Sequence, residues 1–385
     1  MSFYNQLHID KGAIERFNPY YCNLESSLTD PIIINGQEFI NLASNNYLGL
    51  ASDERVKEAM INAIKRYGAS MCGTPIATGY VDILKKVEER LSKFIGLEDT
   101  AIFPSCYQAN LGLFSSIVND KDLIIVDHYA HASLIQGIRL TGCKVKPFLH
   151  NDTAHLEKVL QKSSDYQNIF VVTESVFSTE GSLAPFEKIV NLCENYHAIA
   201  VVDDSHGIGV IGKSGRGILE EKGIVDFQGI YTASLGKALA NSGGIISGKK
   251  ELIEFLRYSC SSLIYSTALP PAVIGGIDKV LDIIEEDFES IAARMWRYKR
   301  LISECLQGCG LKLAEGTAPI TSIIGGSLEN TIAIAEILFE NHILPTPFVP
   351  PSVPPNQGKV RLIAGADLKE TTMEKVLGIF KEVRF

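Results

Sequence analysis

The sequence of 385 residues lacks any apolar run near the roughly 20 residues that are needed to cross a bilayer. It also lacks a block of like charge, and its net charge of -9 offers no basic surface to a nucleic-acid backbone. The amino-terminal M-S-F-Y-N-Q-L-H-I-D-K reaches charged residues without the apolar core of a signal peptide. We therefore expect a cytoplasmic protein with no membrane insertion and no nucleic-acid partner.

The eight cysteines lack the spacing of a disulfide framework or a zinc site. Only Cys305 and Cys309 lie close together, and neither a second pair nor a histidine cluster accompanies them. We expect reduced thiols and no bound metal. The chain also lacks a full dinucleotide fingerprint, since Gly207 and Gly209 stand without the rest of that pattern, which disfavours a nicotinamide enzyme.

What is present, between residues 55 and 300, is an alternation of helical periodicity with short apolar runs. Helical spacing covers residues 56–67 and 82–95. The buried-strand candidates are residues 101–103, 123–126, 169–172 and 199–202. This rhythm predicts an α/β fold with a mostly parallel central sheet and helices on both faces. Ligands of such sheets bind at the carboxyl ends of the strands.

The pattern of apolar and polar residues changes after Pro270, where a predicted long helix that includes residues 285–306 leads into a small α+β domain. That domain is predicted to contain short strands and helices separated by a Pro-rich loop, P-T-P-F-V-P-P-S-V-P-P. Its strands are residues 320–324 and 359–364, and its helices are residues 330–341 and 373–383. The predicted organisation is an amino-terminal segment at 1–50, a large cofactor-binding domain at 51–285 and a carboxyl-terminal α+β domain at 286–385.

A polar pair ends the apolar run A-I-A-V-V, where Asp203 and His206 stand three residues apart. A carboxylate buried at a strand end needs a cationic partner, because an unpaired buried charge is costly. The protonated pyridine nitrogen of pyridoxal 5'-phosphate (PLP) is such a partner, and His206 is then placed to donate to the phenolic oxygen of the ring. A turn cap at Asp203 beside a satisfied polar His206 explains the pair about as well.

A lysine follows some thirty residues later in Y-T-A-S-L-G-K-A-L, behind a strand-like segment that carries Thr232 and Ser234. Burial beside a cationic ring favours the deprotonated amine, which is the form that attacks an aldehyde. We expect Lys237 to hold PLP as a Schiff base. A solvated lysine at a helix start is the commoner case, and only the upstream Asp203 and His206 favour the cofactor.

A phosphate site is predicted in F-P-S-C-Y-Q-A-N-L-G, where a strand ends and a helix begins. The free amides of that helix start, together with Ser105, suit a dianion, and Thr232 and Ser234 add hydroxyl donors. A simple helix cap at Ser105 would look the same. His131 follows another apolar run and is a candidate to lie flat over the cofactor, although such a histidine is as often a helix cap or a core residue.

Eight motifs together carry a family resemblance. They are S-N-N-Y-L-G-L from residue 44, S-C-Y-Q-A-N from 105, H-A-S from 131, H-N-D from 150, T-E-S-V-F-S-T-E-G from 173, D-D-S-H-G from 203, S-L-G-K from 234 and Y-S-T-A-L-P-P from 265. In this order they resemble the α-oxoamine synthase family of fold type I PLP enzymes, over essentially the whole chain.

The resemblance implies a role for each matching residue. Lys237 would be the Schiff-base lysine, Asp203 the partner of the pyridine nitrogen, His206 the donor to the phenolic oxygen and His131 the stacking residue. The amides of Cys106 and Tyr107 with Ser234 would hold the phosphate, and Ser178 would lie near the cofactor oxygens. In a homodimer, Ser266 and Thr267 would reach the phosphate of the neighbouring subunit. Arg361, helped by Asn45, would bind the carboxylate of the amino acid.

The implied reaction joins a small L-amino acid to an acyl thioester of coenzyme A or a carrier protein, with loss of carbon dioxide, to give an α-amino ketone. Three departures from the family pattern surround the expected substrate pocket. The segment from Gly68 to Gly79 lacks the family's arginine, Leu84 stands where many members have a histidine, and I-A-G-A-D stands in place of the carboxyl-terminal T-x-[ST]-A-x-H. An ordinary fold type I aminotransferase shares the lysine and aspartate and stays an alternative. A non-catalytic partner subunit is disfavoured by Lys237.

Overall fold

The computed structural model describes residues 17–385, so the expectation for the first eleven residues lies outside the described part. The chain forms twelve α-helices within that range. They are α1 Glu54–Tyr67, α2 Asp82–Ile95, α3 Cys106–Ile117, α4 Ala132–Arg139, α5 Thr153–Leu160, α6 Phe186–Asn195, α7 Ile218–Glu221, α8 Lys250–Ser259, α9 Ser261–Ile264, α10 Pro271–Gly308, α11 Leu328–Glu340 and α12 Glu370–Glu382.

The same range contains thirteen β-strands. They are β1 Ile32–Ile34, β2 Gln37–Asn41, β3 Asp99–Phe103, β4 Leu123–Asp127, β5 Lys144–Phe148, β6 Ile169–Glu174, β7 Ile199–Asp203, β8 Ile230–Ser234, β9 Gly244–Gly248, β10 Thr321–Gly326, β11 Ile343–Leu344, β12 Thr346–Phe348 and β13 Gly358–Leu362. The described residues contain no helix that is long and apolar enough to span a membrane.

The larger of two compact units comprises residues 45–178 and 182–295 and is built on a seven-stranded sheet. The strand order is β3-β9-β8-β7-β6-β4-β5, and every pairing is parallel except the two that β9 makes. Every residue of β4 and β6 is buried, as expected for strands that helices cover on both faces. The predicted α/β fold with a mostly parallel central sheet is confirmed.

The helices of this unit follow the predicted periodicity closely. Helix α2 has the bounds that the sequence indicates, and it ends at Gly96 in the left-handed conformation, a common helix terminator. Helix α1 begins two residues before the predicted start, because the Asp53 side chain caps it by accepting a hydrogen bond from the amide of Arg55. Buried side chains of α3, α4 and α8 pack with those of the central strands into one core, which fixes the helices against the sheet.

The smaller unit comprises residues 17–44, 179–181 and 296–385. It holds an antiparallel sheet of order β10-β13-β12 and a second sheet in which β2 pairs with both β1 and β11. Helices α11 and α12 and the last turns of α10 contribute to its core. The predicted carboxyl-terminal strands and helices are confirmed within a few residues at each end.

One loop prediction is wrong, because the Pro-rich segment contains strand β12. Pro347 lies within this strand, and β12 is an edge strand of its sheet. A proline removes one backbone donor, and an edge position tolerates that loss because one side of the strand has no neighbour to pair with. Strand β5 was also missed. Strand β5 is an edge strand of the seven-stranded sheet, and its two lysines and exposed side chains suit that position.

Candidate active site

A cavity of about 300 Å³ lies in the larger unit, at the edge where the parallel strands end. Most of the predicted cofactor residues line it. The lining residues are Pro104, Ser105, Cys106, Tyr107, His131, Ser133, Glu174, Asp203, Ser205, His206, Ser234, Gly236, Lys237, Ser242 and Gly243. The structure therefore brings together eight predicted residues that are spread over more than 130 positions of the sequence: Ser105, Cys106, Tyr107, His131, Asp203, His206, Ser234 and Lys237.

The sheet explains this convergence. Glu174 is the last residue of β6 and pairs with Asp203 at the end of β7, which in turn pairs with Thr232 on β8. Parallel strands present their carboxyl ends at one edge, so the loops that follow them meet there. The cavity therefore lies where the fold class predicts a ligand site.

Asp203 is fixed by hydrogen bonds to both of its carboxylate oxygens. Its Oδ1 accepts from the amide of Ser205 at 3.0 Å, and its Oδ2 accepts from Asn110 Nδ2 at 2.8 Å. The side chain is nearly fully buried, and Cys106 Sγ lies 3.8 Å from Oδ2. Such a carboxylate, held in place and facing a cavity, suits a protonated ring nitrogen.

His206 is held by a tyrosine that the sequence reasoning missed. Its Nδ1 lies 2.8 Å from the hydroxyl of Tyr47, and both side chains are buried. The motif S-N-N-Y-L-G-L contains Tyr47, and a tyrosine among apolar residues that becomes fully buried usually has a hydrogen-bond partner. The orientation of His206 in the cavity is thus set from outside its own loop.

His131 caps helix α4 and also lines the cavity. Its Nδ1 accepts from the amide of Ser133 at 3.2 Å and lies 2.8 Å from the hydroxyl of Ser133. Burial lowers the pKa of His131, so the imidazole is neutral. Because Nδ1 accepts a hydrogen bond from an amide, the ring proton lies on Nε2. His131 is therefore a helix cap that also lines the cavity, and its position over a cofactor stays a prediction.

Lys237 follows strand β8 by three residues, in a loop that backbone hydrogen bonds close on itself. The amide of Leu235 donates to the carbonyl of Gly243 at 3.0 Å, and the amide of Asn241 donates to the carbonyl of Leu235 at 3.1 Å. The carbonyl of Lys237 accepts from the amide of Ala240 at 2.9 Å. These bonds fix the backbone from which the lysine reaches the cavity.

The helix start predicted to hold a phosphate is the beginning of α3. Ser105 caps it by accepting from the amide of Gln108 at 3.1 Å, so the amides of Cys106 and Tyr107 are left for another acceptor. A Cβ atom on Gly244 would lie 2.2 Å from both the amide nitrogen and the Cα of Cys106. Only glycine at the start of β9 therefore permits this close approach of β9 to α3.

These features fit PLP. The cavity pairs a helix start for the phosphate with a fixed carboxylate for the ring nitrogen, and Lys237 lines the same cavity. Thr232 Oγ1, which stands beside Asp203 in the sheet, is buried without a hydrogen-bond partner in the described part of the chain. The donor set is therefore complete enough to hold a phosphorylated aromatic aldehyde.

Glu174 is a second carboxyl group in the cavity, and sequence reasoning missed it. Burial, reinforced by the charge of Asp203, raises the pKa of Glu174 well above its ordinary value. The backbone amide of His131 donates to it. The signal was present, since Glu174 ends the buried run I-F-V-V-T-E just as Asp203 ends the run of the next strand.

The remaining predicted residues do not line the cavity. Ser178 lies beyond the end of β6, and Thr232 lies within β8. Ser266 and the exposed Thr267 lie beyond α9, and the Ser266 hydroxyl accepts from Gln108 Nε2 at 3.2 Å. Asn45 has a buried Oδ1 without a partner among the described residues. Arg361 belongs to the smaller unit, on β13, where it is 5% exposed and its guanidinium lies 5.0 Å from the ring centre of Phe348.

The unusual segment at residues 68–84 lines a second cavity, of about 460 Å³. Residues 75–79 form a single π-helical turn, and Tyr80 donates to the buried Glu88 at 2.9 Å. Glu88 also accepts from Arg257 at 2.9 Å, and Arg257 bonds Asp99 as well. Leu84, where the family resemblance implies a histidine, is buried in α2.

Comparison with known proteins agrees with the site. The family model of aminotransferase class I and II matches residues 37–380. The chain is 35% identical to 8-amino-7-oxononanoate synthase of Thermoanaerobacter pseudethanolicus over 361 residues, which is 94% of this chain and 91% of that one. Serine palmitoyltransferase of Sphingomonas wittichii has a TM-score of 0.89 at 28% identity, covering 94% of this chain and 92% of that one. For 8-amino-7-oxononanoate synthase of Francisella tularensis the TM-score is 0.77 at 28% identity, and the match covers 89% of this chain and 97% of that one.

Fold and site together define a fold type I PLP-dependent transferase, and PLP is its cofactor. Within that class, the match to relatives over more than nine-tenths of the chain settles the family. The chain belongs to the α-oxoamine synthase family, whose members are PLP-dependent acyltransferases.

Proposed function

We propose that this protein condenses a small L-amino acid, with L-alanine favoured, and an acyl thioester to an α-amino ketone, as an 8-amino-7-oxononanoate synthase of biotin synthesis. The observation that carries the proposal is the 35% identity to a relative of that name over 94% of the chain. The site supports it, because Asp203, His206 and Lys237 surround one cavity at the ligand-binding edge of the sheet.

The cofactor would be held by groups from the ends of five strands, β3, β4, β6, β7 and β8. Lys237 would carry it covalently, Asp203 would pair with its ring nitrogen, His206 would donate to its phenolic oxygen and His131 would stack on its ring. The fixed carboxylate of Asp203 and the neutral imidazole of His131 suit these roles. The phosphate is bound by the amides of Cys106 and Tyr107 and by the hydroxyls of Ser105, Thr232 and Ser234, with Ser178 near the other cofactor oxygens.

A second copy of the chain completes the site. In the proposed homodimer, Ser266 and Thr267 of each subunit reach the phosphate that the other subunit binds. Their position beyond α9, with Thr267 exposed, is compatible with contact to another chain. A dimer is the proposed state because the family builds its sites in this way.

The amino-acid substrate is held by its carboxylate. A guanidinium offers two parallel donors to a carboxylate, and we assign this role to the buried Arg361, with the amide side chain of Asn45 as a second donor.

In the reaction, bound PLP supplies an electron sink for charge on the α-carbon of the amino acid. Lys237 Nζ takes the proton from that carbon, and Asp203 keeps the ring nitrogen protonated. His131 Nε2 donates to the carbonyl oxygen of the acyl thioester as negative charge develops there. The α-carbon forms a bond to the acyl carbonyl carbon, and the thiolate of coenzyme A or a carrier protein leaves and takes a proton from solvent. The carboxylate of the amino acid is then lost as carbon dioxide, and Lys237 Nζ returns the proton to the α-carbon.

Serine palmitoyltransferase is the second candidate, and a specific observation favours it. The structural match to the Sphingomonas enzyme has the TM-score of 0.89, against 0.77 for the Francisella synthase. The two candidates differ in amino acid and acyl length, so one assay separates them. Another specialised synthase, a 2-amino-3-ketobutyrate CoA ligase and an ordinary aminotransferase are tested by the same assay.

The test incubates the PLP-loaded protein with L-alanine, L-serine or glycine and with thioesters of increasing chain length, and it records free thiol. We expect thiol release to be fastest with L-alanine and a pimeloyl thioester. Fastest release with L-serine and a palmitoyl thioester would favour the second candidate. Amino transfer to a keto acid without thiol release would refute the synthase proposal.

The cofactor attachment is tested separately. Borohydride reduction followed by peptide mass spectrometry should place PLP on Lys237, and Lys237→Ala should abolish both the attachment and thiol release. Lys249→Ala is the matched control, since Lys249 is an exposed lysine that pairs with Glu98. Attachment to a different lysine would overturn the assignment.

A further inference from the structure

Asn110 occupies the second turn of α3, where it is fully buried and bridges two residues of the active site. Its Nδ2 lies 2.8 Å from Asp203 Oδ2 and 2.9 Å from Ser133 Oγ. An amide nitrogen carries two hydrogens, so it makes both bonds at once, and a carboxylate oxygen only accepts, which fixes nitrogen as the atom that faces Asp203. We propose that Asn110 is a positioning residue that holds the Asp203 carboxylate for the cofactor and links it to His131.

The bond from Asn110 restrains the Asp203 carboxylate from outside its own loop, and it is shorter than the 3.8 Å contact of Cys106 Sγ with the same oxygen. The amide of Ser205, two residues along the chain, binds Oδ1, and such a local bond forms in many turns. Asn110 binds Oδ2 from a different helix. With both oxygens held, the carboxylate cannot rotate about its last bond, and it keeps one orientation toward the cavity.

The second bond of Asn110 reaches His131 through Ser133. Since Ser133 Oγ accepts from Asn110, its own proton is directed to His131 Nδ1 at 2.8 Å. A continuous hydrogen-bond chain therefore runs from Asp203 through Asn110 and Ser133 to His131. The residue proposed to face the ring nitrogen and the residue proposed to lie over the ring are positioned by one amide group.

A purely structural role would be to tie helix α3 to helix α4. The two helices pack closely, since a Cβ atom on Gly137 of α4 would lie 2.6 Å from the carbonyl oxygen of Asn110. That role would depend on the bond to Ser133 and not on the bond to Asp203. The two arms of the same amide can therefore be tested one at a time.

The test measures PLP affinity of apoprotein by absorbance titration, together with the thermal midpoint. Asn110→Leu keeps the branched shape and removes both bonds, whereas Ser133→Ala removes only the arm to His131. Because Asn110→Leu removes a hydrogen bond to a charged group, we expect it to weaken PLP binding about tenfold, or about 1.4 kcal/mol. We expect Ser133→Ala to weaken PLP binding less than about threefold. In an Asp203→Asn background, Asn110→Leu should cause no further loss.

A second variant keeps the test decisive if Asn110→Leu does not fold. Asn110→Asp has the same size and places a second carboxyl group beside Asp203, so PLP affinity should fall more steeply with rising pH than in the wild type or in Ser133→Ala. Equal losses in Asn110→Leu and Ser133→Ala, or the same loss with and without Asp203, would overturn the inference.

The inference rests on the proposed roles of Asp203 and His131, and the outcomes separate the two levels. A wild-type protein that does not bind PLP would overturn both. Weak binding by Asp203→Asn with unchanged binding by Asn110→Leu would leave the proposed function standing and would overturn only the role of Asn110.

Discussion

Asp204 carries a testable consequence for stability, because it is fully buried beneath the active-site loop. Its Oδ2 accepts from the hydroxyl of Tyr231 at 2.7 Å and from the amide of Ile218 at 2.9 Å. Burial, only partly offset by these donors, raises the pKa of Asp204 from 3.8 to about 7. Replacing Asp204 with Asn keeps the shape and an acceptor oxygen but removes the titration.

The sign of the effect follows from proton binding. Between about pH 4 and pH 7 the folded state holds a proton on Asp204 that the unfolded state has released, so folding is favoured at low pH and this contribution is lost as the pH rises through 7. Each pH unit in that window corresponds to about 1.4 kcal/mol. From pH 5 to pH 8 the wild type should therefore lose about 3 kcal/mol of unfolding free energy relative to Asp204→Asn.

Urea unfolding of the cofactor-free proteins at pH 5, 6, 7 and 8 measures this difference. Asp120→Asn is the control, since Asp120 is exposed and its replacement should leave the pH dependence unchanged. A difference between wild type and Asp204→Asn that stays constant across the range, or that grows in the opposite direction, would refute the reasoning.

Three further changes test the site and its support. Gly244→Ala forces a methyl group against the backbone of α3 and should lower both PLP affinity and the melting temperature. Gly378→Ala is its control: an added Cβ there meets nothing within 4 Å, so the change should be neutral or stabilising by up to about 1 kcal/mol. Equal effects of the two variants would contradict the close approach of β9 to α3. Tyr47→Phe removes the hydroxyl that binds His206 and should cost about 1–3 kcal/mol of unfolding free energy and shift the pH profile of thiol release; an unchanged profile would count against that partnership. Arg257→Met leaves the buried Glu88 without its cation and should cost about 3 kcal/mol in urea unfolding, whereas Lys249→Met, at an exposed pair, should stay within about 1 kcal/mol.

Much of the fold is readable from the sequence because the signals are local. The fully buried strands β4 and β6 appear as unbroken apolar runs, and α2 appears as helical spacing with a glycine at its end. Strand β12 was read as loop because proline is a poor strand residue, and only its place at the edge of a sheet makes it tolerable.

The site shows the same difference between features that local sequence signals predict and features that depend on tertiary contacts. Asp203, His206 and Lys237 are predictable from the sequence, because each of them follows or ends a strand that the sequence indicates. Their supports were decided by tertiary structure alone: Tyr47 and Asn110 act on residues 159 and 93 positions away. No local pattern encodes such pairs, because a polar side chain inside a helix or turn looks the same whether it meets water or a buried carboxylate. Only the parallel sheet, which gathers strand ends at one edge, turns those scattered polar residues into one hydrogen-bonded site.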